Sequence, residues 1–300
     1  MKDCIKVFID GREGTTGLQI DERLAGLPVE ILAIDPEKRK DAGERKKLLN
    51  AADVVFLCLP DTASREAVAL LENQDTVVID ASTAHRTDPA WVYGFPELSA
   101  VHYEGVKNSN RIAVPGCHAS GFCALVYPLV QAGLIDKAQD LSCFSLTGYS
   151  GGGKAMIAEY ESEAKPTGAR PYALALKHKH LPEMQAVCGL EKPPVFVPVL
   201  ADVKQGMLVQ VPLSLNAETL HNALARHYAE AQNVRVKPFG GAEDMESGRL
   251  AMDTLNGTSQ MEIFVFGHET QALLVARLDN LGKGASGAAV QCMELRMDLD

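Results

Sequence analysis

The 300-residue sequence contains no apolar run long enough to cross a membrane; the longest, residues 122–130, falls far short of the ~20 residues a bilayer span requires. It also lacks the apolar core of an N-terminal signal peptide, since Met1-Lys2-Asp3-Cys4 leads straight into a strand-like run. Positive charge is in short supply, with 29 Lys and Arg against 39 Asp and Glu for a net charge of −10. Such a chain has no field to gather phosphodiester counterions, which argues against nucleic acid as a partner. Its only basic clusters, Lys38-Arg39-Lys40 and Arg45-Lys46-Lys47, read as solvated helix faces. CxxC pairs, internal repeats and low-complexity linkers are absent as well. The seven cysteines at 4, 58, 117, 123, 143, 188 and 292 are odd in number and scattered, as suits reduced thiols in the cytosol. With 46% apolar and 23% charged residues, the composition fits a soluble globular protein of one large or two ordinary domains.

What is present divides into two patterns. Ile5, Val7, Phe8 and Ile9 form an apolar run and a glycine turn follows at 11–17; Ile20, Leu24 and Leu27 then recur at helical spacing before a second strand at 29–34. Apolar runs at 54–59 and 76–79, separated by a helical stretch at 63–71, continue the alternation. This predicts an α/β fold whose parallel sheet is covered on both faces. After about residue 117 the runs lengthen and alternate, at 143–146, 195–199, 207–215, 261–265 and 272–278, with an amphipathic helix at 217–231. They predict an α+β domain built on a mainly antiparallel sheet. A final helix at 283–297, apolar on one side through Ala285, Ala288, Ala289, Cys292 and Leu295, must dock, and the first domain is the expected place. The domains expected are therefore 1–116 with 279–300, and 117–278.

Two motifs carry chemistry. Gly11, Gly14 and Gly17 fall between a strand and a helix, where free amides at a helix N-terminus favour a pyrophosphate. Thr15 and Thr16 belong to that turn, and Arg12 within it is a further candidate phosphate contact. The next strand leads to Asp35, which would favour a ribose 2′-hydroxyl, and then to Lys38 and Arg39, which could hold a 2′-phosphate; NAD and NADP both remain open. The second motif is Val114-Pro115-Gly116-Cys117-His118, where Pro-Gly forces a turn and Cys117 opens a helix through Phe122, Leu125 and Leu129. A thiol at the positive end of a helix dipole is favoured as thiolate, which makes Cys117 a nucleophile candidate. Zinc through Cys117, His118 and Cys123 is a poor alternative, because those positions do not converge on one helix.

A thiol mechanism needs a proton shuttle, and His178-Lys179-His180-Leu181-Pro182-Glu183 offers two imidazoles and a carboxylate. Either histidine can be the acid/base, with His178 preferred and Glu183 orienting a ring. Ser150, Gly151, Gly152 and Lys154 form a donor set suited to a phosphate or carboxylate, and Ser82 and Arg86 are open to a similar role.

These stretches in this order, "DASTAHR" at 80–86, "WVYGFPEL" at 91–98, "VPGCHASG" at 114–121, "YSGGGK" at 149–154, "HKHLPEM" at 178–184, "QGMLVQVPL" at 205–213 and "DNLGKGASGAAVQ" at 279–291, resemble the N-acetyl-γ-glutamyl-phosphate reductases, and more closely the shorter of their two types. The resemblance spans the chain. It implies a fold like that of aspartate-semialdehyde and glyceraldehyde-3-phosphate dehydrogenases, a Rossmann NADP(H) domain followed by a substrate and dimerisation domain. It also implies reduction of N-acetyl-L-glutamyl 5-phosphate to the 5-semialdehyde, a step of arginine biosynthesis, through a thioester on Cys117. The family's histidine pair and glutamate fall on His178, His180 and Glu183, and its nicotinamide side on Asn280, Lys283 and Gly284. A cytoplasmic homodimer or homotetramer is expected. Two other readings remain: the same chemistry on aspartyl phosphate or carrier-bound aminoadipyl phosphate, the carrier being disfavoured by the acidic balance, and a Cys–His hydrolase or acyltransferase, for which the glycine turn would have no use.

Overall fold

The computed structural model describes residues 4–299 and divides the chain into two compact units, Met1–Pro115 with Ala285–Asp300, and Gly116–Gly284. The first unit begins with β1 (Ile5–Asp10), α1 (Thr15–Leu24), β2 (Val29–Ile31), α2 (Ala42–Ala51), β3 (Val54–Leu57), α3 (Asp61–Ala69), β4 (Val77–Asp80), β5 (Val92–Tyr93), α4 (Ala100–Asn108) and β6 (Arg111–Ala113). The strands form one all-parallel sheet in the order β2-β1-β3-β4-β6-β5. Because strand side chains alternate, Val7, Ile9, Val54, Phe56, Val77 and Ile79 pack into one core while Phe8, Val55, Leu57 and Val78 pack into another on the opposite face. Double burial explains why these strands are almost wholly apolar. The second strand is shorter than the apolar run at 29–34 implied, since β2 lies at the sheet edge with only three residues paired to β1.

The second unit comprises α5 (Cys117–Gln131), β7 (Ser142–Thr147), α6 (Gly153–Tyr160), β8 (Arg170–Pro171), α7 (Leu181–Cys188), β9 (Val195–Leu200), β10 (Met207–Leu213), α8 (Ala217–His227), β11 (Val234–Val236), β12 (Met261–Gly267) and β13 (Ala272–Leu278). Its sheet runs β11-β12-β13-β10-β7-β9-β8 and is mixed: β7·β9 and β11·β12 are parallel, and the remaining four pairs are antiparallel. One face, through Cys143, Phe196, Val209 and Val211, is buried, and α5 packs against β10, β13, α7 and α8. The opposite face exposes Phe144 and Val195.

The C-terminal stretch is not one continuous α-helix. A π-helical turn at Gly282–Ser286 precedes α9 (Gly287–Arg296), which packs against α1, α4 and β4 in the first unit. Ala288, Ala289, Cys292, Met293 and Leu295 enter the same core as Val7 and Ile79. Among the described residues no helix is long and apolar enough to cross a membrane.

Candidate active site

At the end of β1 the chain turns through Gly11, whose φ of 89° lies in the left-handed region. A Cβ there would strike the Cys58 carbonyl, and one on Gly17 would lie 2.6 Å from the Gly11 oxygen. The turn is closed by the Gly14 amide donating to that oxygen at 2.9 Å. Gly14 caps α1 without a side-chain bond, and the first turn carries no acid. Among the described residues Thr15 Oγ1 is buried there with no hydrogen-bond partner, an arrangement that costs about 1–3 kcal/mol unless a ligand accepts from it. A phosphate oxygen at this helix end would do so.

The same turn borders a cleft of about 590 Å³, lined also by Leu32, Ile34, Arg39, Lys40 and Arg45. Its size suits an adenine nucleotide, and its apolar wall beside three cations suits one carrying an extra phosphate. The residues present therefore fit NADP. Arg45 reaches the cleft because Asp10 accepts from its Nε at 3.1 Å and its Nη2 at 2.7 Å. Four placements differ from the sequence reading. Lys38 lies outside the lining, whereas Lys40 and Arg45 of the two basic runs belong to it. The Asp35 carboxylate caps a local turn by accepting from the Glu37 amide at 3.0 Å. Arg12 borders the cleft, but its Nη2 is committed to both oxygens of Asp21, at 2.7 and 2.8 Å.

In the second unit, Cys117 is the first residue of α5, half-buried, behind the extended Gly116 cap. The turn places the thiol beside the unsatisfied amides of the helix start. Glu183, 2% exposed in the first turn of α7, accepts from the Gly116 amide through Oε2 at 3.2 Å and holds Oε1 4.0 Å from His180 Nε2. One carboxylate thus joins the starts of two helices. His178 and His180 stand 4.7 Å apart between ring centroids, nearly perpendicular, and the His180 amide donates to His178 Nδ1 at 3.1 Å. That bond puts the proton of a neutral His178 on Nε2. Burial, reinforced by the Lys179 charge, lowers His178 to about 4 and keeps it neutral near pH 7. The structure thus brings His178, His180 and Glu183 together.

The sequence marks His118 by nothing beyond its place after Cys117. Its ring lies 5.4 Å from that of His178 and 5.6 Å from that of His180, with Nδ1 2.7 Å from Ser145 Oγ and Nε2 2.8 Å from the Tyr172 hydroxyl. Among the described residues no group of three or more His, Cys, Asp or Glu could hold a metal ion. Gly284 packs against Cys117, and a Cβ there would lie 2.8 Å from Cys117 Cβ. Burial pushes the Cys143 thiol well up, and burial with the Asp80 and Asp10 charges does the same to Cys58, so neither is a competing nucleophile.

The candidate anion contacts are largely spent. The Gly151 amide donates to the Gly148 carbonyl at 3.3 Å and the Gly153 amide to that of Ser150, closing the short 3₁₀ turn and the start of α6. Gly152 and Lys154 are exposed. Buried Ser150 accepts from Asn280 Nδ2 at 3.0 Å, and Asn280 Oδ1 accepts from the Gly206 amide at 2.9 Å, so Asn280 braces this turn instead of presenting its amide outward. Lys283 is 2% exposed. Ser82 and Arg86 are likewise committed. Ser82 Oγ donates to Asp80 at 2.8 Å, and Arg86 donates to the Val114 and Ala81 carbonyls at 2.8 and 3.0 Å. Asp80 also holds His85 Nδ1 at 2.6 Å, with that ring stacked on Trp91. These bonds brace the ends of β4 and β6 and leave no open phosphate cradle at Ser82.

A cleft suited to a nucleotide at the end of a parallel sheet in one unit, and a thiol at a helix start in the unit that holds the histidine pair, fit the semialdehyde dehydrogenase class. Two family models agree, "Semialdehyde dehydrogenase, NAD binding domain" over residues 12–106 and "Semialdehyde dehydrogenase, dimerisation domain" over residues 117–280. Within that class the chain belongs to the N-acetyl-gamma-glutamyl-phosphate reductase family. It is 45% identical to N-acetyl-gamma-glutamyl-phosphate reductase 2 of Nostoc sp., with 98% of this chain and 97% of the relative covered, and 46% identical to the reductase of Rhizobium meliloti, with 97% and 98% covered. In fold it resembles the aspartate semialdehyde dehydrogenase II of Vibrio cholerae (TM-score 0.71, 16% identity) and a probable aspartate-semialdehyde dehydrogenase of Pseudomonas aeruginosa (TM-score 0.73, 17% identity), each comparison covering 98% of both chains.

Proposed function

We propose that the protein reduces N-acetyl-L-glutamyl 5-phosphate to N-acetyl-L-glutamate 5-semialdehyde, releasing phosphate, with NADPH as reductant and Cys117 as nucleophile. The observation that carries this reading is the position of Cys117 at the start of α5, with the preceding amide fixed by Glu183, in a unit that gathers His178 and His180. Relatives of near-equal length named for this activity support the substrate.

The thiolate attacks the acyl carbon, forming a C–S bond as the C–O bond to phosphate breaks, and phosphate leaves. The exposed Lys154 is the candidate to receive it, with Ser150 buried beneath the same turn against Asn280. The Gly11 turn, the α1 start with Thr15, and Arg39, Lys40 and Arg45 would hold NADPH, which when bound would supply the hydride for reduction of the thioester. His178 Nε2–H donates to the oxyanion that develops as hydride adds to the thioester carbonyl, and collapse of that oxyanion to the aldehyde breaks the C–S bond and expels the Cys117 thiolate. His180, beside Glu183, is the second acid/base candidate. In this reading the unit containing β1 and α9 is the NADP(H) domain and the other unit is catalytic. The exposed face of the second sheet joins copies into a homodimer or homotetramer, and the enzyme works in the cytoplasm.

The test is an assay of the purified protein with N-acetylglutamate semialdehyde, inorganic phosphate and NADP, with aspartate semialdehyde as competitor. Phosphate-dependent NADPH formation on the acetylated substrate is expected, and Cys117→Ser should abolish it while leaving NADP binding intact. Preference for aspartate semialdehyde would overturn the substrate, and full activity of Cys117→Ser would overturn the nucleophile.

A further inference from the structure

His118 follows the nucleophile directly and is 2% exposed, yet the mechanism above gives it no task. Both ring nitrogens are occupied, Nδ1 by Ser145 Oγ on β7 at 2.7 Å and Nε2 by the Tyr172 hydroxyl at 2.8 Å. Burial, reinforced by His178 and Lys179, lowers His118 to about 3, so near neutrality the ring carries one proton, donating at one nitrogen and accepting at the other. Its titratable neighbours are His178, His180, Lys179 and Tyr172.

Ser145 decides the direction. It is wholly buried, and its hydroxyl has one hydrogen-bond partner among the described residues, His118 Nδ1. If Nδ1 carried the proton, the serine O–H would be buried with no acceptor. If the serine donates, only a lone pair goes unused, which is the cheaper arrangement. The imidazole proton then sits on Nε2 and points at the Tyr172 oxygen. Among the described residues the Tyr172 hydroxyl has no other hydrogen-bond partner, so its own proton is unspent.

We infer that Ser145, His118 and Tyr172 form a relay of fixed direction, Ser145 Oγ–H to His118 Nδ1 and His118 Nε2–H to the phenol oxygen, which turns the Tyr172 proton outward as a donor to the Cys117 thiolate. His118 and Cys117 are adjacent at the start of α5 and Tyr172 is tied to His118, which keeps the phenol in the neighbourhood of the thiol. The Cys117 charge is felt at the phenol, where it joins burial in pushing Tyr172 up. Tyr172 is then a direct partner of the reacting sulfur, and His118 and Ser145 are positioning residues. The inference rests on the reading of Cys117 as nucleophile.

The relay is read in the wild-type protein by ¹⁵N-histidine NMR at pH 7, with the His118 signals assigned by their loss in His118→Gln. A protonated Nε2 and a bare Nδ1 are expected, and the opposite tautomer overturns the relay whether or not the Tyr172 and Ser145 variants fold. The donor role is read from the pH dependence of Cys117 alkylation by iodoacetamide, resolved from the other cysteines by peptide mass. Tyr172→Phe should raise the alkylation midpoint and slow reaction at pH 7 by about tenfold, as loss of a bond to a charged group implies. Ser145→Ala should move it the same way by less. An unmoved midpoint in Tyr172→Phe overturns the donor. None of these measurements uses turnover, so a failure of the acyl-phosphate reading would show separately, as no phosphate-dependent NADPH formation in the assay above while Cys117 alkylates as expected.

Discussion

Glu183 shows how much one buried carboxylate can organise. Its two oxygens reach the Gly116 amide and the His180 ring, and it sits in the first turn of α7, where the helix dipole favours its charge. Glu183→Gln keeps the shape but replaces a charge-assisted bond with a neutral one of about half the strength. We expect kcat to fall about tenfold, the effect of roughly 1.4 kcal/mol on the barrier, with KM and the far-ultraviolet spectrum unchanged; a change confined to KM would mean Glu183 serves substrate binding instead. At Gly284, Ala would push a methyl into Cys117 and should cost about 1–3 kcal/mol, seen as a lowered Tm. Cys117, His178, His180 and Glu183 were legible in the sequence because reactive residue types occur there beside turn residues that fix their placement. Ser145 and Tyr172 were not, since they meet His118 across sequence separations of 27 and 54 residues and a serine in a strand has no local signature.

At the scale of elements, the sequence distinguished the parallel sheet from the mixed one because burial on two faces and burial on one leave different periodicities. It erred where tertiary position overrides pattern: at β2, shortened by its place at the edge, and at the last helix, interrupted by a π-turn that packs Gly284 against Cys117. The basic run at the start of α2 misled for a related reason. Arg45 is turned inward by Asp10, a partner 35 residues earlier, while Lys46 and Lys47 reach surface carboxylates. Arg45 therefore belongs to the cleft, and Arg45→Ala should weaken NADP about tenfold while NAD changes little, as loss of one charged phosphate contact implies. Equilibrium titration of both nucleotides checks this without turnover. Equal weakening would place Arg45 against the shared part of the two cofactors. Asp10→Asn should shift NADP binding in the same direction by less, because Arg45 keeps its charge but loses its anchor.

For the whole molecule, the buried histidines set the response to acid. His118 and His178 are held near 3 and 4 in the folded chain, below the ordinary 6.5, chiefly by burial. Between those values and 6.5 the unfolded chain binds more protons than the folded one, so stability rises with pH across that window. The contribution is complete above about pH 6.5 and is lost as pH falls through 6.5 towards 4. Each fully buried histidine contributes a slope of about 1.4 kcal/mol per pH unit; the half-buried His178 contributes less, because solvent screens it. Both residues lie in the second unit, whereas the first contains His102, lowered by burial alone, and the sole tryptophan, Trp91. Urea unfolding at pH 7 and pH 5 should therefore show the circular dichroism midpoint falling further than the Trp91 fluorescence midpoint. In His118→Gln, which cannot titrate, the pH dependence of the circular dichroism midpoint should flatten while that of Trp91 stays as it was. If the two probes remain coincident at both pH values, the units unfold as one cooperative body and the acid sensitivity of the second is shared by the first.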